Sequence, residues 1–208
     1  MKETLLLILL LGILCAPIRS FGITIVVPDE YPSIQAAIDA AQPGDTVQIK
    51  SGMYEEHLVI RKSITLKGTG QWGTVLMRAE RRPVILIESD LPIKVHVIGL
   101  TLAQTTLTVP SGAIWFPKEA GILVSGNAFV KLSQCTIFNF QAPGLYLCGH
   151  SRTTIQGCSV LGNEDGIVVA DHALIMIEDS TICYNDYGIS VIDFGEASIS
   201  TSSVSENN

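Results

Sequence analysis

Residues Gly166 to Asp186 read "GIVVADHALIMIEDSTICYND", and Tyr187 and Gly188 follow. The stretch from Gly188 to Asn208, "GISVIDFGEASISTSSVSENN", repeats the order of glycine, aliphatics, small polar residues and asparagine. Glycines at 121, 144, 166 and 188 are separated by 23, 22 and 22 residues. Aligned on them, the next residue is Ile122, Leu145, Ile167, Ile189, and two further on come Val124, Leu147, Val169, Val191. Later columns hold Val130, Thr153, Ile175, Ala197, then Leu132, Ile155, Ile177, Ile199. A small residue follows (Cys135, Cys158, Ser180, Ser202), then an aliphatic (Ile137, Val160, Ile182, Val204). Asn163, Asn185 and Asn207 close the repeat, and Asn139 is displaced by one.

Each repeat therefore contains three short alternations with period two, the pattern of half-buried strands rather than helices. Three strands in about 22 residues cannot bury an apolar face alone, so successive repeats must stack and share a core. The reading is an all-β solenoid, a coil with three strands per turn, successive turns paired in parallel and a rise of about 4.8 Å between turns. Glycine is expected at the sharp corner. The asparagine column is expected to be structural, combining tolerance of left-handed backbone with amide bonds to its neighbours.

On these residues the chain resembles the right-handed parallel β-helix of the pectin-lyase-like superfold. "GIVV", followed by the alternating aliphatics and "STI", is similar to the repeat of exported β-helix proteins. The segment "VPDEYPSIQAAIDAAQPGDTVQIKSGMYEEHLVIRKSITLKGTG" (Val27 to Gly70) resembles the opening of pectin esterases and of periplasmic proteins of the NosD type. The resemblance implies the fold; this superfold carries lyases, hydrolases, esterases, adhesins and inert scaffolds, so it implies no single activity.

Within that segment, "PSIQAAIDAA" (Pro32 to Ala41) places Ile34, Ala37, Ile38 and Ala41 on one face of a short helix. A β-helix exposes strand edges at its end, and this helix is expected to cap them. "DTVQI", "HLVI" and "SITL" are read as the first coil, and "PVILIE", "IKVHVI" and "LTL" as the second. Asp45 to Gln48 and Glu55, Glu56 are read as turn or outer-face positions.

The chain has 208 residues, with 47% hydrophobic, 16% charged and a net charge of −7. Apart from Arg78, Arg81 and Arg82 there is no basic cluster, which argues against nucleic acid as a partner. Residues 1–22 form a separate unit: Lys2, then the apolar run "LLLILLLGIL" from Leu5 to Leu14. That run has the length of a signal-peptide core and is short for a membrane span. Cleavage is expected after Gly22 or after Ser20, leaving no membrane span, a β-helix domain at 23–208 and a secreted or periplasmic location. Four cysteines then remain, without the paired spacing of a zinc site. Cys135 and Cys158 are expected to stack unbonded in the core, whereas Cys148 and Cys183 are expected to face outward and react readily.

Sugar-cleaving relatives of the superfold carry acids on the outward face of the first strand of each coil. The corresponding columns are Leu123, Tyr146, Val168, Ser190 and Ser125, Cys148, Ala170, Ile192, without the paired carboxylates that glycoside hydrolysis uses. The adjoining corner holds Asp171 and Asp193 beside His150 and His172, the weak candidates for a catalytic pair or a divalent-metal site. No metal or other cofactor is assigned. An insertion, "TLTVPSGAIWFPKEA" (Thr106 to Ala120), offers Trp115 and Phe116 for sugar stacking, and Tyr146 joins them as a ligand-binding candidate on the sheet.

The reading leans away from catalysis, toward an exported module that binds a polysaccharide or an envelope partner. A polysaccharide-active enzyme and a NosD-type maturation protein are its alternatives. The tail "STSSVSENN" lacks a helix, proline or charged lid. The domain is therefore expected to be incomplete at its C-terminus, or to self-associate through an open last coil.

Overall fold

A computed structural model of the chain describes residues 22–78, 81–104 and 119–208. The leader, apart from Gly22, lies outside the described residues, as do Trp115 and Phe116. Each repeat bends its alternations into three strands, and equivalent strands of successive repeats pair in parallel. Face one holds β4 (Leu58–Ile60), the first half of β7 (Ile85–Ile98), the first half of β9 (Ile122–Ser133), β11 (Leu145–Leu147), β14 (Asp165–Val169) and β17 (Tyr187–Val191). Face two holds β1 (Thr24–Val27), β2 (Thr46–Ile49), β5 (Thr65–Lys67), the second halves of β7 and β9, β12 (Arg152–Gln156), β15 (Leu174–Glu178) and β18 (Glu196–Ser200). Face three holds β3 (Gly52–Glu55), β6 (Thr74–Arg78), β8 (Thr101–Gln104), β10 (Thr136–Phe138), β13 (Ser159–Leu161), β16 (Thr181–Cys183) and β19 (Ser203–Ser205). The coil makes about seven turns.

The aligned columns are the core. Ile122, Leu145 and Ile167 are buried, as are Leu132, Ile155 and Ile177, while Met176 between two of the buried strand positions points outward. The glycine column serves close approach rather than a special backbone angle. A Cβ on Gly166 would sit 2.5 Å from the Gly188 carbonyl oxygen and 2.9 Å from the Asn185 amide nitrogen. The asparagine column meets expectation in its amide bonds and departs from it in backbone angle. The left-handed residue at that corner is Gly162, Tyr184 or Glu206, one place before each asparagine, and only the displaced Asn139 is itself left-handed. Asn163, Asn185 and Asn207 form the expected amide ladder, buried to half-buried, each accepting from the backbone or side-chain amide of the turn before.

A second ladder explains the small-residue column. Cys135 N–H donates to Cys158 Sγ, Cys158 N–H to Ser180 Oγ and Ser180 N–H to Ser202 Oγ. A thiol and a hydroxyl do the same work there. Cys135 and Cys158 are unbonded and buried, as their spacing suggested.

The first turns correct the sequence reading. β2 pairs with β5, Thr46 against Thr65, so "DTVQI" and "SITL" belong to successive turns rather than to one. The first turn lacks a face-one strand because α1 (Ile34–Ala40) occupies that place. Ser33 caps α1, and Ile34, Ala37, Ile38 and the following Ala41 are buried. Gln35 acts as a strand partner for β4: its Oε1 accepts from Val59 N–H at 2.8 Å, and its Nε2 donates to Val59 O at 3.3 Å. Glu56 returns the contact by accepting the Ile34 and Gln35 N–H groups at the helix start, where a carboxylate is favoured. Asp45 closes a turn on Gln42, as read, but is buried there, accepting from Ile23 and Gln42 N–H, and Val47 is a core residue of β2 rather than a turn or outer-face one. No helix among the described residues is long and apolar enough to cross a membrane.

Candidate ligand-binding groove

Outward residues of face two line a groove of about 770 Å³ that runs along the coil axis. Strand register fixes its composition. One column holds Lys94, Phe129, Arg152, Leu174 and Glu196 on successive turns. The next holds Thr65, His96, Lys131, Thr154, Met176 and Ser198. Phe129 is 42% exposed and Met176 51%. The Arg152 guanidinium lies 5.9 Å from the Phe129 ring centroid, inside the range of a cation–π contact. Lys94, Lys131 and Arg152 form no ion pair among the described residues. Burial and the nearby Lys131 lower the pKa of His96, whose Nε2 lies 3.0 Å from Ser133 Oγ.

None of these residues was singled out by sequence. They repeat no residue type from turn to turn, and only the register aligns them. A usable signal existed nevertheless: each stands beside a core position already assigned on the same strand.

The corner candidates do come together. The His150 and His172 rings stack at 5.2 Å, and Phe194 continues the stack at 5.0 Å from His172. Asp171 and Asp193 occupy the left-handed corner position that Gly126 and Gly149 fill on earlier turns. Asp171 Oδ2 accepts the Gly149 N–H at 2.9 Å, which ties its carboxylate to the backbone of the preceding turn. Among the described residues no cluster of His, Cys, Asp and Glu has metal-binding geometry.

On face one, Tyr146 stands between Leu123 and Val168 and is half-buried. Burial, then Cys148, Asp171 and Asp193, raise its pKa. Glu88 is paired with Arg61. Asp165 is buried, accepts from Ser190 Oγ at 2.9 Å, and has its carboxyl pushed up chiefly by burial. Trp72, 60% exposed, meets Phe138 edge-on at 5.3 Å, and its backbone N–H donates to Thr101 Oγ1, so its loop lies across face three.

Two cysteines depart from expectation. Cys183 is buried, and Cys148 is half-buried with its thiol held against Val124 O. Burial, helped by Asp171, pushes the Cys148 thiol up to about 11. Only the thiolate attacks, so alkylation of Cys148 at pH 8 is expected to run about 200-fold slower than at an ordinary thiol near 8.5, from thiolate fraction alone. The rate should climb about tenfold per pH unit toward pH 10; mass-resolved labelling against pH reads it. A rate matching a model thiol contradicts the burial.

Residues 102–208 match the family described as the right handed beta helix region. No curated protein matches the chain. Among solved structures, a pectin methylesterase from Yersinia enterocolitica is similar at 20% identity with a TM-score of 0.59, over 74% of this chain and 55% of that one. A pectin methylesterase mutant in complex with a hexasaccharide is similar at 18% identity with a TM-score of 0.56, over 79% of this chain and 56% of that one. ORF18 of Geobacillus virus E2 is similar at 14% identity with a TM-score of 0.56, over 91% of this chain and 42% of that one. The chain thus spans little more than half the length of these esterases, and at such identities the likeness is one of fold.

Proposed function

The chain belongs to the right-handed β-helix family, and from that premise we propose that it is an exported, non-catalytic module that binds a polysaccharide along face two. The observation that carries the reading is the groove itself: an exposed aromatic ring set among apolar, hydroxyl and cationic side chains on consecutive turns. Sugars present alternating apolar faces and hydroxyl rims, so a ring beside hydroxyls and cations offers both kinds of contact. Sugar-binding by a structural neighbour, the hexasaccharide-bound esterase, adds support from the same fold.

Export follows from the Lys2-to-Gly22 leader pattern, with a secreted or periplasmic destination. The enzymatic alternative would use His150, His172, Asp171 and Asp193. The NosD-type alternative would require a copper or zinc response on titration.

Affinity electrophoresis of the full chain in gels containing individual polysaccharides tests the reading. Phe129→Ala is expected to weaken retention about 3- to 10-fold, the loss of one ring contact. Because Phe129 faces outward, the variant should keep its melting temperature. Equal retention of the variant would remove the groove from the binding site.

A further inference from the structure

Polar side chains enclosed by the coil are hydrogen-bonded, as the Asn163–Asn185 pair and Ser180 show. Among the described residues two enclosed side-chain oxygens break that rule: Ser151 Oγ and Thr153 Oγ1 have no hydrogen-bond partner. Ser151 is 0% exposed and Thr153 3%. Ser151 immediately precedes β12, and Thr153 is its second residue. Arg152 and Thr154 alternate with them and line the groove, so Ser151 and Thr153 point into the coil. Register explains the missing partners. Thr153 lies between Val130 and Ile175 of the adjoining turns, and Ser151, one step earlier, lies between Ala128 and Ala173. All four neighbours are buried and apolar. The two alanines continue a column that holds Ile93 on an earlier turn, so the stack is pared back on both sides of Ser151.

An enclosed hydroxyl without a partner gives up its hydrogen bonds to solvent and gains none in return, and here two such groups lie side by side. We propose that the coil binds a single water molecule between Ser151 and Thr153, on the inner side of β12 behind Arg152. Residues two apart on one side of a strand are separated by about 6.6 Å. One water making an O–H···O bond of about 2.8 Å to each hydroxyl bridges such a gap. Each hydroxyl can donate or accept, and together they supply the two polar partners that a buried water requires. Ala128 and Ala173 provide the room, since neither side chain extends past its Cβ. An apolar guest suits the site poorly, because it would leave both hydroxyls unpaired. The water also accounts for serine and threonine in columns that hold only aliphatic residues on the turns before and after.

The test is oxygen-17 relaxation dispersion of water in solutions of the full chain, paired with a high-resolution crystal structure. Ser151→Ala with Thr153→Val removes both hydroxyls while nearly keeping the shape of each side chain. The double variant is expected to lose one long-lived water per molecule relative to the parent, with its circular-dichroism spectrum unchanged. Thr153→Ser keeps the hydroxyl and should keep the water. In the parent crystal, density for one water is expected within about 3 Å of both hydroxyls. Equal numbers of long-lived waters in the parent and the double variant overturn the proposal, as does loss of the water from Thr153→Ser. A parent crystal in which the hydroxyls meet protein atoms, or in which no density lies between them, overturns it as well. That crystal decides alone if the double variant does not fold.

Discussion

Asn185→Ala is expected to cost about 3–5 kcal/mol of stability, among the largest effects of any single side-chain truncation in the coil. Asn185 is buried, and its Oδ1 accepts from both Asn163 N–H and Asn163 Nδ2 at 3.0 Å. Its Nδ2 donates to Val160 O, Cys183 O and Asn207 Oδ1. Alanine leaves these groups enclosed and unpaired, at about 1–3 kcal/mol for each buried group that water cannot reach. Asn185→Asp should be worse, because a carboxylate would face the Val160 and Cys183 carbonyls in place of a donor. Urea denaturation measures both. A loss below about 1 kcal/mol would mean the ladder is replaceable by water.

Ile177→Ala is expected to destabilise by about 2–5 kcal/mol through the cavity it leaves. Met176→Ala, one residue away, should change stability by less than about 0.5 kcal/mol, as surface substitutions do. The contrast follows from the strand alternation: Ile177 is fully buried, whereas Met176 is 51% exposed in the groove. Comparable losses at 176 and 177 would mean that the strand is rotated from its observed register.

The core was legible because one physical requirement recurs at fixed spacing. Ile167, Ile175 and Ile177 each have counterparts 22 residues away, and any strand pairing that buries one column buries the others. The stacking of His150 on His172 followed from the same register. What the repeat does not encode was misread or missed. The first turn escaped because α1 replaces a strand, which shifts "DTVQI" and "SITL" into consecutive turns. The amide ladder of the asparagines was legible, but the left-handed backbone lies one residue earlier, since both roles favour asparagine and sequence does not separate them. Burial of Cys183 was invisible because its outward strand position says nothing about what covers it. The groove depends on non-repeating side chains from β7, β9, β12 and β15, far apart in sequence and aligned only by register.

The central claim is that the face-two groove holds a polysaccharide without altering it. Its most direct test is the mass spectrum of an oligosaccharide, cut from whichever polysaccharide the full chain retains in affinity gels, eluted from the immobilised full chain after prolonged contact. The account predicts that the oligosaccharide is retained, that immobilised Phe129→Ala retains several-fold less, and that every recovered molecule has its starting mass. Shortened, unsaturated or de-esterified products from the parent chain, or no retention at all, would contradict it.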